Sequence, residues 1–191
     1  HDSKIFTKAA KFIGVKEYVI HRLVGNYVVD YSIASATGLF NLKDRNWDQE
    51  TLNYVGVTEK QLSEPVSPYH IEKLGETNDL SLPKGTNLIM GASDGCLANL
   101  GSGSITSESL AVTIGTSGAI RVCANKIYSD PKMRTFCYIL DEDTYVIGGA
   151  SNNGAVVFEW LKEQFFKDFD FEAVFDEANH ISEGADGLLF Y

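Results

Sequence analysis

A mixed α/β fold is what this sequence predicts, and three observations predict it. Apolar residues recur at near-helical spacing close to the start, at Phe6, Ala9, Ala10, Ile13, Tyr18, Val19 and Leu23, the period of an amphipathic helix. Short apolar runs punctuated by glycine dominate the second half, at residues 88–90, 110–114, 119–123, 136–140 and 145–147, and such runs bounded by turn residues read as strands. A longer amphipathic stretch, residues 154–166, then carries Trp160 and Leu161 on its apolar side.

Taken in order, residues 4–23 are expected to be helical, punctuated by Gly14, with Gly25 as a C-cap. Ala34-Ser35-Ala36-Thr37-Gly38 is a run of small residues that predicts tight packing or close backbone approach. Residues 47–54 predict a short helix with Asp48 and Glu50 in its first turn, where acidic groups suit the helix dipole. A polar loop with Pro65, Pro68 and Pro83 follows, holding an extended segment at residues 69–74. Leu88-Ile89-Met90 predicts a strand that runs into Gly91-Ala92-Ser93-Asp94-Gly95, and Cys96-Leu97-Ala98-Asn99-Leu100 returns to helical spacing. Residues 110–114 and 119–123 predict a hairpin around Gly115-Thr116-Ser117-Gly118. Residues 136–140 and 145–147 predict another around Asp141-Glu142-Asp143, a solvated tip. The aromatic run at residues 165–175 reads as the apolar side of helical structure. Composition shifts near residues 102–108, the best place for a domain boundary.

Composition narrows the function classes. The chain has 191 residues, 44% apolar and 22% charged, with 26 acidic against 16 basic side chains for a net charge of −10. That balance argues against a broad basic surface for nucleic acid or anionic membrane. It leaves a nucleotide site open, because phosphates are held by local backbone N–H groups and metal. Cys96, Cys123 and Cys137 are odd in number and sit among small or apolar neighbours. They read as buried thiols rather than a disulfide framework or zinc site, which fits a reducing, cytoplasmic setting. His21, His70 and His180 stand at no metal-ligand spacing. No signal peptide or membrane span is expected.

Three segments carry candidate chemistry. Gly115 and Gly118 let a backbone approach a phosphate closely while Thr116 and Ser117 supply hydroxyl donors; equally, the glycines serve only the turn. Asp94 stands between a strand and a helix, where a carboxylate could take a proton from a substrate hydroxyl; its local sequence alone favours a helix cap or Asx turn. Gly148-Gly149-Ala150-Ser151-Asn152-Asn153-Gly154 leads into a helix N-terminus, a natural anion site, or is a loop with ordinary capping. Asp30 and Ser32 could touch a substrate, and Asp30 could equally cap a following helix.

In their order along the chain these pieces resemble the FGGY family of carbohydrate kinases. The resemblance runs through Lys16-Glu17-Tyr18, His21-Arg22-Leu23-Val24-Gly25, Asp30-Tyr31-Ser32-Ile33-Ala34-Ser35 and Trp47-Asp48. It continues through GASDG at residues 91–95, TIGTSG at residues 113–118 and GGASNNG at residues 148–154, and closes on Trp160-Leu161. Within the family the gluconate kinase branch looks nearest. In the xylulose kinases an Asn commonly follows the catalytic Asp, and Gly95 stands there in this chain.

The resemblance implies an actin-like, ribonuclease H-like ATPase architecture of two related α/β domains with ATP and sugar between them. Residues 1–103 would be the C-terminal part of the sugar-binding domain and residues 104–191 the N-terminal part of the nucleotide-binding domain. Asp94 matches the family's general base. Gly115, Thr116 and Ser117 match a phosphate-binding turn, and Gly154 a glycine on the nucleotide side. No metal ligand is assigned within the chain; Mg²⁺ would accompany ATP. The implied partners are a sugar or sugar acid, gluconate before xylulose, ribulose or glycerol, and ATP, without nucleic acid or membrane; a homodimer is compatible. Family members are longer, so the expectation is an internal fragment without the first phosphate loop and the adenosine segment, which need not be active alone. The rival reading is an actin-like or chaperone-like ATPase module that uses no sugar.

Overall fold

Short helices alternate with small sheets along the chain. The computed structural model describes residues 3–75 and 82–188. In chain order come α1 (Ser3–Lys8), α2 (Val15–Val24), β1 (Val28–Asp30), α3 (Tyr31–Ser35), β2 (Phe40–Asn41), β3 (Asn46–Trp47) and α4 (Gln49–Val55). Then follow β4 (Glu64–Val66), β5 (Ile71–Lys73), β6 (Asn87–Ile89), α5 (Asp94–Gly101), β7 (Leu110–Ile114) and β8 (Gly118–Ala124). The last are β9 (Phe136–Ile139), β10 (Tyr145–Ser151), α6 (Ala155–Phe165) and α7 (Phe171–Asn179). Strands pair as β1-β4, β2-β3, β5-β6 and a four-stranded sheet ordered β7-β8-β10-β9. Two units result, one of residues 1–111 with 120–149, the other of residues 112–119 with 150–191.

In the first unit the expected helix over residues 4–23 is two helices. Residues 9–13 leave the helix because long-range partners claim them: Phe12 N–H donates to Gln61 O at 2.8 Å and Lys11 Nζ to Leu62 O at 2.6 Å. Gly14, in extended backbone, starts α2 and donates its N–H to the Glu17 carboxylate at 2.6 Å. Gly25 ends α2 in the left-handed region, φ 84°, with its N–H on His21 O, as a helix-ending glycine should. Asp48 lies one position outside α4 and caps it, accepting from Thr51 N–H at 2.8 Å and Thr51 Oγ1 at 2.7 Å. Those two donors hold its carboxyl below the usual range.

β1 and β4 are parallel, with Val28 opposite Glu64 and Asp30 opposite Val66. Val29, Ala34, Trp47, Leu52, Val57 and Leu62 form one core cluster beside them, and Ile20, Val28, Val66 and Met90 another. Only the start of the small-residue run packs: Ala34 is fully buried and Ile139 N–H of β9 donates to Ser35 Oγ at 3.2 Å, while Ala36, Thr37 and Gly38 are exposed. β9 and β10 form the expected antiparallel hairpin, Tyr145 opposite Ile139 and Gly148 opposite Phe136. A Cβ on Gly148 would lie 2.4 Å from Ile120 O, so only glycine fits there. Ala92, Cys96, Cys123, Leu140 and Val146 close a third cluster under α5. All three cysteines are free, Cys96 and Cys123 buried, and burial raises the Cys123 and Cys137 thiols. Such thiols are poor nucleophiles and metal ligands.

In the second unit Phe158 of α6 stacks on Phe175 and Phe171 of α7, with centroids 4.9 and 5.8 Å away. Asp170 caps α7 through Ala173 N–H at 2.8 Å. Trp160 remains 44% exposed. No helix among the described residues is long and apolar enough to cross a membrane.

The loop at residues 125–135 is organised by one carboxylate. Asp130, 6% exposed, accepts from Lys132 N–H, Arg134 N–H, Arg134 Nε and Arg134 Nη2. The Arg134 guanidinium first, and its N–H second, hold Asp130 at about 2. Because that lies below the ordinary carboxylate value of ~3.9, its stabilisation is complete above pH 4 and is lost as pH falls toward 2. Carboxyl-carbon NMR should place the Asp130 titration near 2. Asp130→Asn should abolish it and make the bond after Arg134 a new tryptic cleavage site.

Candidate functional site

The GASDG segment is a left-handed step followed by a helix cap. Gly91 has φ 64°, which favours glycine, and its N–H donates to Pro68 O at 2.8 Å. Ser93, in extended backbone, then caps α5, its Oγ accepting from Cys96 N–H at 3.4 Å. The cap that local sequence offered to Asp94 therefore falls to Ser93. Asp94 is the first helical residue, exposed to solvent, with Oδ1 accepting from Gly95 N–H at 2.7 Å. The partial positive charge of the helix start favours a carboxylate there.

A buried hydroxyl pair fixes this helix start. Ser32 Oγ donates to Ser93 Oγ at 3.2 Å and accepts from Ser93 N–H at 3.0 Å, and Ser32 is fully buried. α3, which carries Ser32, is itself capped by Asp30, whose Oδ1 accepts from Ile33 N–H at 2.9 Å. Lys16 Nζ pairs with Asp30 Oδ2 at 2.5 Å and reaches Ala92 O at 3.5 Å. The two roles open to Asp30 thus resolve in favour of the cap. Asp30 and Ser32 are both buried and act on the fold around Asp94.

In the second unit the Gly115-Thr116-Ser117 turn holds the start of α6. Gly115 N–H donates to Ser117 O at 2.8 Å, Gly154 N–H to Thr116 O at 3.1 Å and Ala155 N–H to Gly115 O at 2.7 Å. A Cβ on Gly154 would lie 2.5 Å from Gly115 O and from the Ser117 carbonyl carbon. Gly154 is required by this close approach, and two N–H groups at the α6 start are already committed to the turn. Thr116 and Ser117 are exposed, which leaves their hydroxyls accessible to solvent.

Sequence reasoning missed Ser93, Lys16 and Arg121. Ser93 and Asp94 are both residue types that cap helices, and only the extended backbone at Ser93 chooses between them. Arg121, on β8, lies against the first turn of α5: a Cβ on Gly95 would be 3.2 Å from Nε and 3.3 Å from Nη2. Only the absence of a side chain at position 95 hinted at such a neighbour. Tyr138 is raised chiefly by burial, with the Arg121 charge opposing. Among the described residues no group of three His, Cys, Asp or Glu stands together as a metal site.

Ser93→Ala removes a cap worth about 1 kcal/mol and leaves the buried Ser32 hydroxyl proton without its acceptor, though the bond Ser32 accepts from the backbone N–H at position 93 remains, a further cost of about 1–3 kcal/mol. Chemical denaturation should show a combined loss of roughly 2–4 kcal/mol, less than additive with Ser32→Ala. Gly154→Ala should cost about 1–3 kcal/mol through overpacking, read in the same experiment, while Gly149→Ala, with open space around it, should cost far less.

Residues 1–101 match the FGGY family of carbohydrate kinases, N-terminal domain. Gluconokinase from Bacillus subtilis strain 168 is 40% identical over 210 residues, covering 98% of this chain and 39% of that protein. Xylulose kinase from Staphylococcus xylosus is 26% identical, covering 100% of this chain and 40% of its own length. Among solved structures, gluconate kinase from Lactobacillus acidophilus superposes with a TM-score of 0.88 at 36% identity, covering 98% of this chain and 39% of that one. A ligand-bound xylulose kinase from Lactobacillus acidophilus gives the same figures. The chain thus spans about 39% of the length of the gluconokinase it matches. The actin-like architecture implied above is that of these structural neighbours. The chain belongs to the FGGY family of carbohydrate kinases.

Proposed function

We propose that this chain works as a segment of a longer ATP-dependent kinase whose acceptor is gluconate, with Asp94 as general base. The observation that carries the reading is the capped start of α5: Ser93 satisfies the helix end and leaves Asp94 exposed at its first position. Gluconate is favoured over xylulose because the Bacillus gluconokinase is 40% identical to this chain and the Staphylococcus xylulose kinase 26%. Residues 1–103 are assigned to the end of the sugar-binding domain and residues 104–191 to the beginning of the nucleotide-binding domain. Exposed Leu110, Val112 and Ile114 on β7 fit a segment of a longer protein, since contiguous apolar surface marks a face that something covers. The buried, free thiols fit a reducing cytoplasmic compartment.

In this reading Asp94 accepts a hydrogen bond from the acceptor hydroxyl and takes its proton as the oxygen attacks the γ-phosphorus, while the bond from that phosphorus to the β–γ bridging oxygen breaks and ADP leaves. The Gly115-Thr116-Ser117 turn holds ATP phosphate oxygens through the Thr116 and Ser117 hydroxyls, and Gly154 keeps that turn against α6. ATP enters as its Mg²⁺ complex, the ion neutralising phosphate charge. Phosphoryl transfer of this kind depends chiefly on positioning and charge neutralisation.

In the full-length kinase Asp94→Asn should lower kcat about 10²–10⁴-fold while the KM for gluconate changes little. Near-normal turnover in the variant would remove Asp94 from the role. A coupled assay over gluconate, xylulose, ribulose and glycerol should show gluconate preferred; ATP hydrolysis indifferent to all four would favour an ATPase that uses no sugar.

A further inference from the structure

We propose that Arg121 binds an oxyanion of the reacting pair beside Asp94, and that Gly95 is glycine in order to seat it. This rests on the reading of Asp94 as the base. The Arg121 guanidinium lies tightly against the point where a side chain at position 95 would begin, a Cβ there falling 3.2 Å from Nε, 3.3 Å from Nη2 and 3.4 Å from Cζ, so that the guanidinium would have to give way by a few tenths of an ångström. Gly95 is the residue immediately after Asp94, and its N–H is the one that Asp94 Oδ1 accepts. Gly95 sits inside α5 and is not among the glycines with positive φ. Its backbone therefore places no demand for glycine, and within a helix glycine is unfavourable relative to alanine. The space it leaves, not its conformation, explains it.

The chemistry beside a catalytic carboxylate calls for such a cation. A base that carries negative charge must meet an anionic cosubstrate, and in this reading an anionic acceptor as well, in a chain whose net charge is −10. Arginine is suited to this because its planar fork presents paired N–H donors to carboxylate or phosphate oxygens and stays charged. Two sources supply that oxyanion, the carboxylate of a sugar acid and the phosphoryl group in transfer, and kinetics separates them.

The test uses the full-length kinase with gluconate, xylulose and glycerol as acceptors and ATP·Mg²⁺ as donor, comparing Arg121→Gln, Arg121→Lys and Gly95→Ala. If the acceptor carboxylate is the ligand, Arg121→Gln raises the gluconate KM roughly 10- to 100-fold and leaves uncharged acceptors unaffected. If the phosphoryl group is the ligand, kcat falls by a similar factor for every acceptor. In either case Arg121→Lys restores part of the loss. Gly95→Ala, which improves helix propensity, reproduces the same signature more weakly by displacing the guanidinium, so the effect cannot be put down to unfolding. Unchanged kinetics in Arg121→Gln, or a Gly95→Ala enzyme indistinguishable from wild type, overturns the proposal. A wild-type enzyme that ignores gluconate but loses turnover in Arg121→Gln refutes the gluconate reading alone. One in which Asp94→Asn is also silent refutes the base assignment and this proposal together.

Discussion

The placement of Asp94 depends on a pair of serine hydroxyls. Ser32 and Ser93 lie sixty-one positions apart and exchange two hydrogen bonds in a buried setting, where neither could go unpaired without a cost of about 1–3 kcal/mol. One belongs to α3, the other caps α5, so the helix start that carries Asp94 is tied to a helix about sixty residues earlier in the chain. Everything behind Ser32 serves to hold α3 still. Asp30 caps it, Lys16 neutralises Asp30, and Ser35 carries the tie onward to β9.

This arrangement explains why the charged residues of the motifs divide as they do. Asp30, fully buried, is consumed by structure. Asp94 is spared that fate because its neighbour Ser93 does the capping, leaving a carboxylate at a helix start that favours its charge. The second unit uses a different device for a similar purpose. There the turn carbonyls, rather than a side chain, satisfy the first N–H groups of α6. The approach is so close that Gly154 admits no Cβ. The hydroxyls of Thr116 and Ser117 are left facing solvent, while the backbone behind them is rigidly engaged.

Much of this was legible in the sequence. Glycine-bounded apolar runs located the two hairpins, Gly25 marked a helix end, and the order of GASDG, TIGTSG and GGASNNG pointed to the family. What local sequence could not show was tertiary competition. The helical period over residues 4–23 was real, yet Gln61 and Leu62 claim residues 11 and 12 and break it. The division of labour between Ser93 and Asp94 needed the extended backbone at Ser93. Arg121 was invisible because a guanidinium lying over a glycine leaves no periodic trace.

The central claim is that Asp94 meets the acceptor hydroxyl. Its most direct test is a crystal structure of the full-length kinase with gluconate and a non-hydrolysable ATP analogue. In that crystal an Asp94 carboxylate oxygen should lie about 2.6–3.2 Å from a gluconate hydroxyl, with Ser93 still capping α5. A bound gluconate whose hydroxyls all lie beyond hydrogen-bond reach of Asp94, with another carboxylate in its place, would contradict it.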